Sequence, residues 1–396
     1  MSARLLLFTG KGGVGKTTLA AATSAALAAG GRKTLVVSTD PAHSLGDAFG
    51  VPLGSSPAEV DAGLHAAQID PRALVDDTWR ELRGHLRTVL AGAGVDELAA
   101  EELTVLPGVE ELLALSEVQR LARTGPWDVV VVDCGPTAET LRLLALPEAL
   151  ASYLERLFPT HRRVVRGLLA GLAGTAASVE RWDATADALG RLAENLEQLR
   201  ALLTADTTAV RLVCTPERVV VAETRRTVTA LALQGIRVDG VIANRLVPDP
   251  GDDSGPAATW LRTRRAEQEA VLASLDLGPL RTVGHRAGEP VGLAALLDVA
   301  DGLYRGADPL GGAGTPGPLV EVVPVGDEYE LRLALPVGDS DLELARVGDD
   351  LAVTVDGRRR LIALPSLLRR CVVLGAELDD DGLAVRFRPD PDLWMR

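Results

Sequence analysis

Gly10-Lys11-Gly12-Gly13-Val14-Gly15-Lys16-Thr17-Thr18 is the stretch on which the reading of this chain turns. The apolar run Leu5-Leu6-Leu7-Phe8 precedes it, and Leu19-Ala20-Ala21-Ala22, a strong helix former, follows. Strand, glycine loop and helix in that order make a phosphate cradle. Glycines let backbone N–H groups turn onto a β-phosphate, and the helix N-terminus adds a favourable dipole. Lys16 would neutralise β- and γ-phosphate charge, and the Thr17 hydroxyl is a candidate magnesium ligand. Every loop residue from Gly10 to Thr18 is a candidate for nucleotide contact.

Lysine usage sharpens the point. Lys11, Lys16 and Lys33 are the only lysines, and arginine supplies almost all other positive charge. Two of the three stand inside the glycine loop, where a compact ammonium fits among phosphates and a planar guanidinium does not.

Composition bounds the rest. The chain has 396 residues, 47% of them hydrophobic, enough for one large α/β domain and a smaller second one. No 18-residue uncharged apolar run occurs, so no membrane span is expected, and the chain is expected in the cytoplasm. A formal net charge of -14 argues against a nucleic-acid partner. Cys134, Cys214 and Cys371 are scattered with no C-x-x-C, which disfavours a disulfide framework or a structural zinc site.

Further buried strands follow from short β-branched runs. These are 33–39, 127–133 with its Val129-Val130-Val131-Val132, 211–215, and 238–244. Continuous apolar runs separated by helical segments predict an α/β fold with a mostly parallel, doubly wound sheet. In such sheets ligands sit beyond the carboxyl ends of the strands, where Gly10, Asp40 and Asp133 fall. Helical stretches over about 76–121 and 147–204 could cover the sheet or build an apolar groove at a dimer interface; the sequence leaves both open. Residues 305–318 are rich in glycine and proline and read as a linker. Beyond it, Tyr329, Leu331, Leu333 and Leu335, then Leu351, Val353 and Val355, then Leu383, Val385 and Phe387 alternate with period two. That pattern predicts a small antiparallel β-sandwich over 319–390.

Three segments together resemble one ATPase family. They are the loop, Ser38-Thr39-Asp40-Pro41-Ala42-His43-Ser44-Leu45, and Asp133-Cys134-Gly135-Pro136-Thr137-Ala138-Glu139-Thr140. The family comprises the arsenical-pump ATPase ArsA and the Get-pathway ATPase that delivers tail-anchored membrane proteins. Thr215-Pro216-Glu217 and Asn244-Arg245 fit the same pattern. The C-terminal part resembles the small heat-shock (alpha-crystallin) domain fused to some bacterial relatives.

This resemblance implies a P-loop ATPase domain over 1–304 that uses ATP and magnesium. The pattern K-G-G-x-G-K-T is similar to the deviant Walker A motif, whose Lys11-type lysine reaches a partner subunit's nucleotide. A homodimer is therefore implied. Asp40 would orient or deprotonate the attacking water as a catalytic group beside Lys16 and Lys11. Thr17, Asp40 and Asp133 would hold the magnesium shell. Asn244, with Arg245 and Pro136, would line the nucleotide pocket, Asn244 facing adenine. Where the family's switch II carries glycine and histidine, Ala138 and Glu139 stand instead. The histidine belongs to the metalloid site, and no thiol cluster replaces it. The leading expectation is thus an ATPase that handles or targets a protein client, with a membrane-protein partner as one option. The alternatives are an arsenite or antimonite efflux ATPase and a nucleotide switch with negligible turnover.

Overall fold

A computed structural model describes residues 3–40, 44–70, 109–135, 194–195, 197–275, 277–311, 320–333, 342–355, 358–379 and 382–391. Pro136, switch II from Thr137 onward, and most of the helical stretches expected over 76–121 and 147–204 lie outside these residues. The chain divides into two compact units. The first comprises 1–12, 16–208 and 290–300, and the second 13–15, 209–289 and 301–396.

In the first unit β1 (Arg4–Thr9) leads through the glycine loop into α1 (Lys16–Ala29). β2 (Thr34–Ser38), α2 (Ser44–Phe49), β3 (Ala58–Asp61) and β4 (Leu64–Gln68) follow, then α3 (Val109–Thr124) and β5 (Val129–Asp133). The strands are ordered β3-β4-β2-β5-β1. All pairs are parallel except the β3–β4 hairpin. β2 and β5 read as apolar runs because both of their faces are covered: every residue of either strand is buried. Alanines supply much of the buried surface of α1, including Ala20, Ala21, Ala22 and Ala25. Such small side chains let the helix lie close to the sheet and bring its N-terminus up to the loop. Ser38 and Phe8 both sit opposite Asp133 in register, so β1, β2 and β5 end at one level.

In the second unit β6 (Thr208–Cys214), α4 (Arg218–Leu233), β7 (Val238–Leu246), α5 (Pro256–Ala273) and β8 (Leu280–Gly284) alternate, followed by α6 (Leu293–Tyr304), whose end belongs here. β6, β7 and β8 are parallel neighbours in that order. Arg211 on β6 is 0% exposed. Its guanidinium grips Asp239 of β7 with two nitrogens, at 3.1 and 2.5 Å. It also donates to the Tyr304 hydroxyl at 2.8 Å and the Pro309 carbonyl at 3.1 Å. Arg281 lies over the Tyr304 ring at 5.7 Å and donates to the Gly311 carbonyl at 2.8 Å. Two arginines thus bond to the backbone at the start of the 305–318 stretch, at Pro309 and Gly311.

The C-terminal part builds two antiparallel sheets. β9 (Val320–Val325) and β10 (Glu328–Leu333) join β14 (Cys371–Asp379) and β15 (Gly382–Pro389) in the order β14-β15-β10-β9. β11 (Leu342–Val347), β12 (Asp350–Val355) and β13 (Arg358–Ala363) form the other sheet, and the short α7 (Ser366–Arg369) precedes β14. One core takes Leu331, Leu333, Leu383, Val385 and Phe387 from the first sheet and Leu351, Val353 and Val355 from the second. This is the sandwich that the period-two pattern predicts. Leu233, the last residue of α4, is buried in that same core, with Ala232 packed against it.

Candidate nucleotide site

Asp133 is the centre of the polar cluster in the first unit. It ends β5, is 0% exposed, and uses one carboxylate oxygen twice. Oδ2 accepts from Thr17 Oγ1 at 2.8 Å and from Ser38 Oγ at 3.0 Å. Oδ1 is buried without a hydrogen-bond partner. Burial lifts the Asp133 pKa to about 6, against hydrogen bonds from Thr17 and Ser38 and the charge of Lys16 that pull it down. A buried carboxylate with one oxygen left over is a group built to receive something.

Side chains of the glycine loop and of the 38–44 segment stand around it. Thr17 Oγ1 also lies 3.0 Å from Ser44 Oγ at the start of α2. Lys16 is buried, 5% exposed, and its Nζ donates to the Lys11 carbonyl at 3.3 Å. The Asp40 N–H donates to Ser38 Oγ at 3.3 Å, so one serine bridges Asp40 and the end of β5. Lys11 is exposed. Sequence reasoning does not single out Ser38 and Ser44 as site residues. Their signal is present all the same, since both flank Asp40 in the segment that carries the family resemblance.

A second cluster lies in the other unit. Gly15 has φ +94, and a Cβ there would collide with Asn244 Nδ2. Only glycine fits, for the backbone and for the contact. Asn244 Nδ2 donates to the Val14 carbonyl at 2.8 Å, and its Oδ1 accepts the Arg245 N–H at 2.9 Å. The asparagine expected to face adenine thus also clasps the glycine loop. Sequence reasoning misses Gln268 of α5, which bonds to the backbone of Arg245 and of Val247. Nothing local marks it, because a glutamine on a polar helix reads as a solvated residue. Pro136 lies outside the described residues.

Strand, glycine loop and helix with a buried aspartate at the end of a neighbouring strand define the class of P-loop nucleotide hydrolases. Comparison with known proteins narrows this. The anion-transporting ATPase family matches residues 3–305, and an HSP20-like domain found in ArsA matches residues 326–387. The chain belongs to the anion-transporting ATPase family and is an ATP hydrolase. It is 42% identical to Protein Rv2184c of Mycobacterium tuberculosis, over 99% of this chain and 97% of that protein. It is 34% identical to a putative arsenical pump-driving ATPase of Chlorobaculum tepidum, over 97% of this chain and 96% of the relative. With ATPase GET3 of Podospora anserina it shares 32% identity over 64% of this chain and 76% of the relative.

Proposed function

We propose that this chain is a magnesium-dependent ATPase that closes as a homodimer around two nucleotides and so drives the handling of a protein client. The observation that carries the metal is the Asp133 carboxylate, with one orphaned oxygen and the other on Thr17. Two hard oxygen donors on adjoining elements fit magnesium, which keeps several waters and takes few protein ligands. Thr17 would bind it directly, and Asp133 would hold its water shell, with Asp40 nearby. When bound, the ion supplies charge neutralisation between the β- and γ-phosphates.

The chain's own residues do the rest. Lys16 compensates phosphate charge, and the loop N–H groups from Gly10 to Thr18 cradle it. Asp40 holds the attacking water in line, a task that needs position more than basicity. Lys11, exposed on the loop, reaches a partner's nucleotide. Asn244, with Arg245 and Pro136, receives the base. The domain limits we propose are 1–304, 305–318 and 319–390, with the whole chain in the cytoplasm. Among the described residues no helix is long and apolar enough to cross a membrane. The HSP20-like domain supports a protein client over a metalloid. Cys214 supports the same choice, because burial pushes its thiol up to about 11, away from the thiolate that a soft metalloid binds.

Asp40→Asn is the test. It should retain ATP and lower kcat by at least about 100-fold, as for a positioned catalytic group. The trapped variant should then hold its client in a pull-down. Parental turnover in the variant would show that Asp40 has another role.

A further inference from the structure

α5 is a largely exposed helix on which only Ala258, Gln268 and Val271 are buried. Gln268 is 3% exposed, and both ends of its amide are committed to backbone. Oε1 accepts the Val247 N–H at 2.9 Å, and Nε2 donates to the Arg245 carbonyl at 3.3 Å. The backbone it holds is strained, because Arg245 has φ 61, a conformation uncommon for a side chain of this size. At its start the Arg245 N–H donates to Asn244 Oδ1, while Asn244 Nδ2 donates to the Val14 carbonyl.

These two bonds fix the sense of the Asn244 amide. Turning it over would set Nδ2 against the Arg245 N–H and Oδ1 against the Val14 carbonyl, losing both bonds and creating two repulsions. One N–H and one oxygen lone pair of the amide remain. A donor beside an acceptor matches the adenine edge, where the N6 amino group adjoins N7. Guanine offers two acceptors there, O6 and N7.

We propose that Gln268 is a positioning residue for purine choice: by bracing the 245–247 segment it holds the Asn244 amide in the adenine-reading sense and ties that reading to the phosphate loop. This rests on the assignment of Asn244 to the base. Gln268 is buried and its amide is spent on backbone, so its removal should act on selectivity and not on nucleotide binding at large.

The experiment measures kcat and KM for ATP and for GTP in the parent, Gln268→Leu, Gln268→Glu and Asn244→Ala. Gln268→Leu removes both bonds at similar volume. Its preference for ATP over GTP should fall about tenfold, chiefly through KM for ATP. Gln268→Glu keeps the acceptor for Val247 but sets a carboxylate oxygen against the Arg245 carbonyl, so its preference should fall as well; Gln268→Ala, which removes both bonds without adding a charge, serves if the leucine variant fails to fold. Equal losses for both nucleotides, or a preference unchanged within about twofold, would assign Gln268 a purely structural role. A parent that does not prefer ATP to GTP would overturn the inference while leaving the ATPase standing. An unchanged preference in Asn244→Ala would instead remove the assignment on which the inference rests.

Discussion

Asp133 and Arg211 are both charged, both on strands and both 0% exposed, yet their surroundings are opposite in kind. Arg211 is completed: Asp239, the Tyr304 hydroxyl and the Pro309 carbonyl take up its guanidinium. Burial opposes its charge, but Tyr304 and Asp239 outweigh burial and raise its pKa. Asp133 is left incomplete, with one oxygen unbonded and its pKa raised by burial. A buried charge that the fold satisfies serves the fold. One that the fold leaves open serves a ligand, and the two should fail differently when mutated.

The largest expected effect on stability is at the completed charge. Arg211→Ala leaves Asp239 without its cation and should cost about 3–5 kcal/mol in urea unfolding. The pair Arg211→Met with Asp239→Leu should recover much of that loss, since an apolar pair of similar volume replaces a buried ion pair at little cost. If the double variant is as unstable as the single one, the clamp is more than an ion pair.

A smaller effect separates two truncations. Stopping after Tyr304 removes the Pro309 and Gly311 carbonyls from Arg211 and Arg281, whereas stopping after Gly311 keeps both. The shorter chain should be less stable by about 1.5–3 kcal/mol, the range for hydrogen bonds to charged groups. Equal melting of the two would mean that the linker's first half contributes nothing. Either cut also uncovers Leu233, so both should melt below the full chain.

Lys11 gives the smallest expected change in the isolated subunit, because it is exposed. Lys11→Ala should keep ATP bound through Lys16 while weakening the dimerisation that we propose ATP and magnesium drive. Light scattering with a slowly hydrolysed analogue reads this directly. A chain monomeric in every nucleotide state would remove the trans role.

How far the sequence reaches differs between these regions for physical reasons. The glycine loop, the valine run of β5 and the alternation of β10, β12 and β15 are legible because each pattern is local. β3 and β4 do not announce themselves as strands. Glu59 and Asp61 make the first a polar edge, and Ala66-Ala67 in the second carries a helix former's composition. β8 is short and interrupted by Arg281, so its apolar signal is weak. The Arg211 clamp joins residues 28 and 93 positions apart, and no local pattern announces it. An arginine inside an apolar strand is the one available hint, since such a charge needs a partner. Thr17 and Asp133 stand out as site residues by motif resemblance, but that the Asp133 carboxylate is half-used emerges only when β1, β2 and β5 align.

The most direct measurement is ATP hydrolysis against magnesium concentration for the parent and Asp133→Asn, with melting temperature recorded for both. The asparagine keeps an acceptor for Thr17 and Ser38 and removes the charge that the fold leaves open. The account predicts a variant that melts no lower than the parent, still binds nucleotide, and loses magnesium-dependent turnover by at least about 100-fold. A variant that unfolds readily, or that hydrolyses ATP at the parental rate across the magnesium titration, would contradict it.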